Sequence, residues 1–330
     1  MKLAAIVGEN QAVLIEKDKP ILHEGWALVK IYAAPMCAEY KGFIHGHKND
    51  CLGHEGAGEV VETTPGSKVK VGDRVVVMPQ YPCGECEYCL SGSYIYCEHN
   101  MDYHAGTMSQ YIAKPSWLLQ KISDGVSYEK ASLACCGLGP SHGAFEEMGI
   151  NAFTTVLITG IGPVGLGAII NAKYRGARVI AVEMNEYRVN LAKELGADYV
   201  IDPLDEDAVA KIKELTNGKG PDFGIDCSGV PAAHRLLIDC VKRLGKIAFI
   251  GECEKDSNIR ISPDLIRKGI HLIGSWHYNL NEYPKIMEII QNSPHIDRFI
   301  THSFPMSRIQ EAFEISASQN NGKIIIKPWE

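Results

Sequence analysis

Cys37 stands seventeen residues ahead of His54, which lies inside the triplet Gly53-His54-Glu55. A thiolate and an imidazole are zinc donors, and a catalytic zinc takes three protein ligands plus an open position for water or substrate. Cys37 and His54 would supply two of them. The third is open among Glu55, beside His54, and the adjacent pair Cys135-Cys136 in the run LACCGLGPSHGA. On spacing alone, a cysteine and a Gly-His-Glu serving as packing residues account for the pattern as well as a metal does.

A second metal pattern is more specific. Cys83, Cys86, Cys89 and Cys97 follow the spacing C-x2-C-x2-C-x7-C. Four thiolates satisfy a tetrahedral zinc and leave no open position, so this ion would order a loop and do no chemistry. An iron–sulfur cluster or unrelated thiols are the other readings.

Gly160-Ile161-Gly162-Pro163-Val164-Gly165 follows the apolar run Thr155 to Thr159 and opens a helical stretch. In that context G-x-G-x-x-G reads as a dinucleotide fingerprint. Gly160 makes the tight turn, Gly162 admits the pyrophosphate, Gly165 lets the helix pack closely, and the helix N-terminus that Pro163 opens contributes amides from Val164 onward. Glu183 ends the next strand, where its carboxylate would accept the ribose hydroxyls and disfavour a 2′-phosphate. That favours NAD over NADP, with Arg188 the residue that could reach a phosphate.

These motifs must be held by two kinds of scaffold. Residues 1 to 125 read as short strands and turns of barrel-like character: a hairpin of Lys2 to Val7 with Ala12 to Ile15, then Ala27 to Ala33, Gly58 to Glu62 and Arg74 to Met78. Beyond about Ser127, apolar runs alternate with helical stretches. Six strand candidates, Thr155 to Thr159, Arg178 to Val182, Tyr199 to Ile201, Phe223 to Asp226, Lys246 to Ile250 and His271 to Gly274, predict an α/β doubly wound parallel sheet. In the tail, Ser307 to Gln310 reads as a capping box, and Gly322 to Lys327 as a strand that returns to the first domain's sheet. The domains expected are therefore 1–138 with 279–330, and 139–278.

Composition narrows the function. With 330 residues, 45% hydrophobic and 22% charged, the chain has the makings of two ordinary globular cores. A net charge of −7 offers no basic surface for nucleic acid or an anionic membrane. Leu3 to Val7 is too short for a signal-peptide core and no run approaches a membrane span, so the eleven cysteines are expected as thiols or metal ligands in a reducing cytoplasm.

Taken together, the Cys followed by Gly-His-Glu, the four-cysteine lobe, the fingerprint GIGPVGLGAI and the returning terminal strand resemble the zinc-containing medium-chain alcohol dehydrogenase family across essentially the whole chain, its sorbitol, threonine and sugar-alcohol dehydrogenase branch above all. The resemblance implies a GroES-like catalytic domain plus a Rossmann domain, two zinc ions per chain and NAD. It assigns Cys37 and His54 to the catalytic zinc, Cys136 as third ligand with Cys135 the fallback, and Glu55 behind the metal as an exchanging ligand. Relatives carry Gly or Arg, then Ser or Thr, then Asp after the ligand Cys, the hydroxyl relaying the alcohol proton. Here the run is Cys37-Ala38-Glu39-Tyr40. Glu39 is thus expected to accept that proton or bind a substrate hydroxyl or amine, and His45, or its neighbour His47, to finish a relay to solvent.

The reaction expected is hydride transfer between a secondary alcohol and NAD. A carboxylate near the metal suits a polyol, cyclitol or sugar derivative better than an apolar alcohol. The rival enzyme reading is L-threonine 3-dehydrogenase or another amino-alcohol dehydrogenase, with Glu39 pairing the ammonium. The rival from another class is a zinc-stabilised NAD-sensing protein. The resemblance also implies a homodimer or homotetramer acting on a small alcohol, while the charge and the lack of a long apolar run lead us to expect neither nucleic acid nor membrane as a partner.

Overall fold

The computed structural model describes residues 1–330. The chain divides into two compact units, one made of Met1–Cys136, Asn279–Asn292 and Ile300–Glu330, the other of Gly137–Tyr278 and Ser293–Phe299. No helix is long and apolar enough to cross a membrane.

The first stretch is β-rich. β1 (Lys2–Gly8) and β2 (Gln11–Glu16) form an antiparallel hairpin. β3 (Trp26–Pro35), rich in the apolar and β-branched residues that suit a pleated surface, pairs antiparallel with β4 (Gly56–Thr63), which pairs with β5 (Arg74–Val77). β6 (Tyr111–Pro115) adds to β3, and β7 (Leu119–Lys121) to β5. Three short helices interrupt the strands: α1 (Tyr40–His45), α2 (Glu87–Leu90) and α3 (Tyr128–Ser132). Val29, Ile31, Val60, Val75 and Ile112 fill the space behind the sheet.

The second unit alternates helix and strand. α4 (Gly139–Met148) leads to β8 (Thr155–Thr159), α5 (Pro163–Tyr174), β9 (Arg178–Val182), α6 (Glu186–Glu194), β10 (Tyr199–Ile201), α7 (Ala208–Glu214), β11 (Phe223–Asp226), α8 (Pro231–Cys240), β12 (Lys246–Phe249) and β13 (His271–Gly274). The six strands are all parallel, in the order β10-β9-β8-β11-β12-β13. The order reverses beside β8, and that is where a doubly wound sheet binds its ligand.

The tail contributes α9 (Tyr283–Asn292), α10 (Ile296–Phe299), β14 (Ile300–Pro305), α11 (Ile309–Ser318) and β15 (Lys323–Lys327). β15 pairs antiparallel with β3 and parallel with β14, completing a seven-stranded sheet with Ile324 and Ile326 in its core. Two expectations need correction. Residues 293–299, expected with the first domain, cluster with the second unit: α10 buries Ile296 and Phe299, and Arg298 reaches Glu194 at 3.6 Å. Ser307 does not cap α11, because a 3₁₀ turn over Met306–Arg308 moves the helix start to Ile309. Gln310 instead ties the helix to the first hairpin, accepting from Ala12 N–H at 2.8 Å and donating to the Asn10 carbonyl at 3.0 Å.

Candidate functional site

In the first unit, ligand atoms of Cys37, His54, Glu55 and Cys136 all lie within 4.8 Å of one another. Cys37 follows the end of β3, His54 and Glu55 immediately precede β4, and Cys136 comes from the turn after α3. Gly53 makes this local path possible: its φ is +85°, and a Cβ there would stand 2.7 Å from Thr107 Oγ1. Thr107 in turn donates its hydroxyl to the Glu55 carbonyl at 2.5 Å. The His54 ring presents Nε2 to Cys136 Sγ at 3.1 Å and Nδ1 to Glu39 Oε1 at 3.3 Å.

Charge is shared unevenly in this cluster. The hydrogen bond from Cys136 holds the Cys37 thiol well below its ordinary range against the effect of burial, with Lys323 and His54 assisting. The same bond, then burial, pushes the Cys136 thiol up. Two thiols and an imidazole brought this close make a donor set that a divalent cation would deprotonate fully. Glu55, fully buried, is pushed up to about 7 by burial despite the pull of Lys323. Two thiolates and a neutral imidazole offset a 2+ charge, so the residues present fit a catalytic zinc.

Lys323 is the residue that sequence reading missed. It is 0% exposed, its ammonium pairs with Glu55 Oε1, and it donates to the Met36 carbonyl at 3.1 Å. A lysine fully buried in a run as apolar as KIII is the available signal, since such a charge requires a partner.

Cys135, the fallback ligand, is turned away from the cluster: its sulfur donates to the Val77 carbonyl at 3.4 Å, and burial pushes its thiol up. His45 lies exposed at the end of α1 with its ring against His47 at 5.8 Å, outside the four-residue cluster. The Glu39 side chain lies beside the cluster, with one oxygen hydrogen-bonded and Oε1 buried without a hydrogen bond. Its Oε2 accepts from the Cys37 main-chain N–H at 2.6 Å while Oε1 faces His54.

The four-cysteine lobe is closed. Sulfur separations are 3.5 Å for Cys86–Cys89, 3.6 Å for Cys97–Cys83, 3.8 Å for Cys86–Cys97 and 3.9 Å for Cys83–Cys89. Zn–S bonds of about 2.3 Å in a tetrahedron put the sulfurs about 3.8 Å apart, so the lobe matches that ion. Main-chain amides of Glu85 and Cys86 lower the Cys83 thiol to about 6.

In the second unit, the glycine run joins β8 to α5. Gly160 has φ +79° and Gly165 packs so closely on its carbonyl that a Cβ would stand 2.1 Å away. At Gly162 a Cβ would meet nothing nearer than Arg188 Nη1 at 3.9 Å, which leaves the loop open for a phosphate. Pro163, which has no N–H, begins the helix, and the Val164 amide after it is unspent at the N-terminus. Glu183 Oε2 accepts from Ile161 N–H at 3.1 Å, and its Oε1 from Met184 and Asn185 at 2.8 and 3.0 Å, so this carboxylate shapes the loop as well as facing it. Asp226 went unnoticed in the sequence. At the end of β11 it gathers Thr159, Ser228, Gly229 and His234, bracing the turn against which Gly160 packs.

Comparison with known proteins agrees with both units. Residues 23–124 match the alcohol dehydrogenase GroES-like domain and residues 163–292 the zinc-binding dehydrogenase model. The chain is 32% identical to the L-threonine 3-dehydrogenase of Pyrococcus furiosus, over 96% of this chain and 95% of that one. It is 30% identical to the D-arabitol-phosphate dehydrogenase of Enterococcus avium, over 97% and 95%. The crystal structure of 2R,3R-butanediol dehydrogenase from Bacillus subtilis superposes with a TM-score of 0.87 at 26% identity, over 99% of each chain.

Proposed function

Because the chain belongs to the zinc-containing medium-chain alcohol dehydrogenase family, we propose that it transfers a hydride between a secondary alcohol and NAD, the alcohol being a polyol, cyclitol or sugar derivative. The observation that carries this reading is the convergence of Cys37, His54, Glu55 and Cys136 within 4.8 Å.

Cys37, His54 and Cys136 hold the catalytic zinc in this reading, and Cys83, Cys86, Cys89 and Cys97 a structural one. When bound, the catalytic ion acts as a Lewis acid that makes an alcohol more acidic. The residues of the chain do the remaining work. Two thiolates and an imidazole would hold the ion with three ligands and leave a coordination position for substrate. Lys323 engages Glu55 Oε1 in an ion pair beside those three ligands. Amides at the start of α5 bind the pyrophosphate, and Glu183 selects an unphosphorylated ribose, hence NAD.

The arabitol-phosphate and butanediol relatives act on hydroxylated carbon chains, which supports the polyol reading. The threonine dehydrogenase relatives support a second reading, oxidation of an amino alcohol. In that reading Glu39 would meet the ammonium with Oε1, which is buried 3.3 Å from His54 Nδ1 and makes no hydrogen bond. The assembly is proposed as a homodimer or homotetramer working in the cytoplasm.

The test is an NADH absorbance screen over polyols, cyclitols, sugars and amino alcohols, with NADP as comparator and bound zinc measured in parallel. The expected result is turnover of at least one polyhydroxylated substrate with NAD and two zinc ions per chain. NADP preference, or amino alcohols as the sole substrates, would overturn the cofactor or substrate assignment respectively.

A further inference from the structure

Glu39 occupies the position where relatives carry a relay hydroxyl, yet its side chain points to other work. It precedes α1 with φ −58° and ψ −25°, and makes no capping bond to that helix. The carboxylate folds back instead. Oε2 accepts the Cys37 main-chain N–H at 2.6 Å, while Oε1 is buried without a hydrogen bond and has His54 Nδ1 3.3 Å away, and only 10% of the side chain is exposed. Both partners are donors: a main-chain amide always is, and His54 must carry its proton on Nδ1 for Nε2, which faces Cys136 Sγ, to bind a metal.

We propose that Glu39 is a positioning residue that joins two ligands of the catalytic zinc, holding the Cys37 main chain with one oxygen and fixing the His54 tautomer and ring with the other. The inference rests on the zinc site proposed above and is independent of the substrate. A carboxylate suits this place because it offers an acceptor to each donor. An amide does not: whichever way Glu39→Gln rotates, its NH₂ meets either the Cys37 N–H or the His54 Nδ1–H. A single carboxylate therefore preorganises ligands that lie seventeen positions apart in the chain.

The test is zinc affinity, measured on the zinc-loaded full chain by competition with a chromophoric chelator. The four-cysteine lobe serves as an internal control for folding. Glu39→Gln is expected to weaken one of the two zinc ions by about 10- to 100-fold and leave the other as in the wild type. Glu39→Asp keeps both acceptors on a shorter stem and is expected to recover part of the loss. Cobalt substituted at the weakened site should show altered visible bands in Glu39→Gln. If Glu39 accepts the substrate proton, Glu39→Gln keeps wild-type zinc affinity and cobalt bands while turnover falls, which overturns the proposal. Equal weakening of both ions also overturns it, and should Glu39→Gln not fold, zinc affinity of Glu39→Asp equal to wild type does the same. Failure of the substrate assignment would leave these binding readouts unaffected.

Discussion

Replacing Lys323 by Met removes an ammonium buried at 0% exposure while keeping most of its aliphatic stem, so the change isolates charge from packing. What remains is Glu55, also at 0% exposure, without the cation that pairs with its Oε1. Breaking a buried ion pair from one side costs about 3–5 kcal/mol, because the surviving charge is left uncompensated. The Met36 carbonyl loses a donor as well, for about another 1 kcal/mol. Part of this is relieved when Glu55 takes up a proton, so a net loss of about 3–4 kcal/mol is expected. In a folding unit of this size that lowers Tm by about 10 °C. The double variant Lys323→Met/Glu55→Gln leaves no charge behind and should regain more than half of the loss, which defines the coupling through a double-mutant cycle. Thermal unfolding of the zinc-loaded chain measures all three variants. A Lys323→Met protein within about 1 kcal/mol of wild type, or a double variant no more stable than the single, would refute the buried-pair reasoning.

Other outcomes follow from single side chains. Burial lowers Lys114, which sits 3.5 Å over the Tyr81 ring, to about 7, so between pH 7 and about 10 the unfolded chain binds the proton that the folded chain has released. Its contribution to stability is therefore full above the unfolded pKa and lost as pH falls toward 7, with a slope of at most about 1.4 kcal/mol per pH unit. Lys114→Met should flatten the rise in denaturation midpoint between pH 7 and 9, and an unchanged slope would count against it. Cys89→Ser should reduce bound zinc from two ions per chain to one, read by metal analysis, and should speed proteolysis near Ser91 and Ser93, which Asn279 ties down at 2.8 and 3.2 Å. Glu183→Ser should weaken NAD binding by about 10- to 100-fold and narrow its preference over NADP, since the ribose loses an acceptor and the loop loses its anchor at Ile161. Fluorescence titration with both dinucleotides reads this, and an unaltered preference would be the contrary result.

Legibility in the sequence tracked how local each signal is. The cysteine lobe was readable because all four donors lie within fifteen residues, and the glycine run because strand, turn and helix follow one another. The six parallel strands stood out as β-branched runs separated by helices. β6, β7 and β14 did not: β7 is three residues long, β6 ends in Pro115, and β14 carries Thr301, His302 and Ser303 with no apolar alternation. These strands exist because a neighbour offers them a ladder, and their own composition does not declare it. The proposed third metal ligand needed the resemblance, since nothing local separates Cys135 from Cys136; in the fold one sulfur meets the Val77 carbonyl and the other meets His54.

Glu39 and Lys323 were opaque for a sharper reason. Glu39 shares its place with a relay hydroxyl in relatives, but a carboxylate on a two-carbon stem reaches back to Cys37 N–H, where a serine of the same backbone conformation would stop short. Equivalence of position therefore did not carry equivalence of role, because reach differs. Lys323 lies 268 positions from Glu55, and only the register of β15 on β3 brings them together. Ile325 stands opposite Pro35 and Ile326 opposite Ala34, so the same register continued two residues puts Lys323 opposite Cys37. The Met36 N–H to Ile324 carbonyl bond at 2.9 Å fixes that alignment. A shift of one residue would turn the lysine to the other face of the sheet and leave Glu55 buried without it. The terminal strand is thus a structural part of the proposed metal site, and its pairing with β3 places Lys323 beside Glu55 within it.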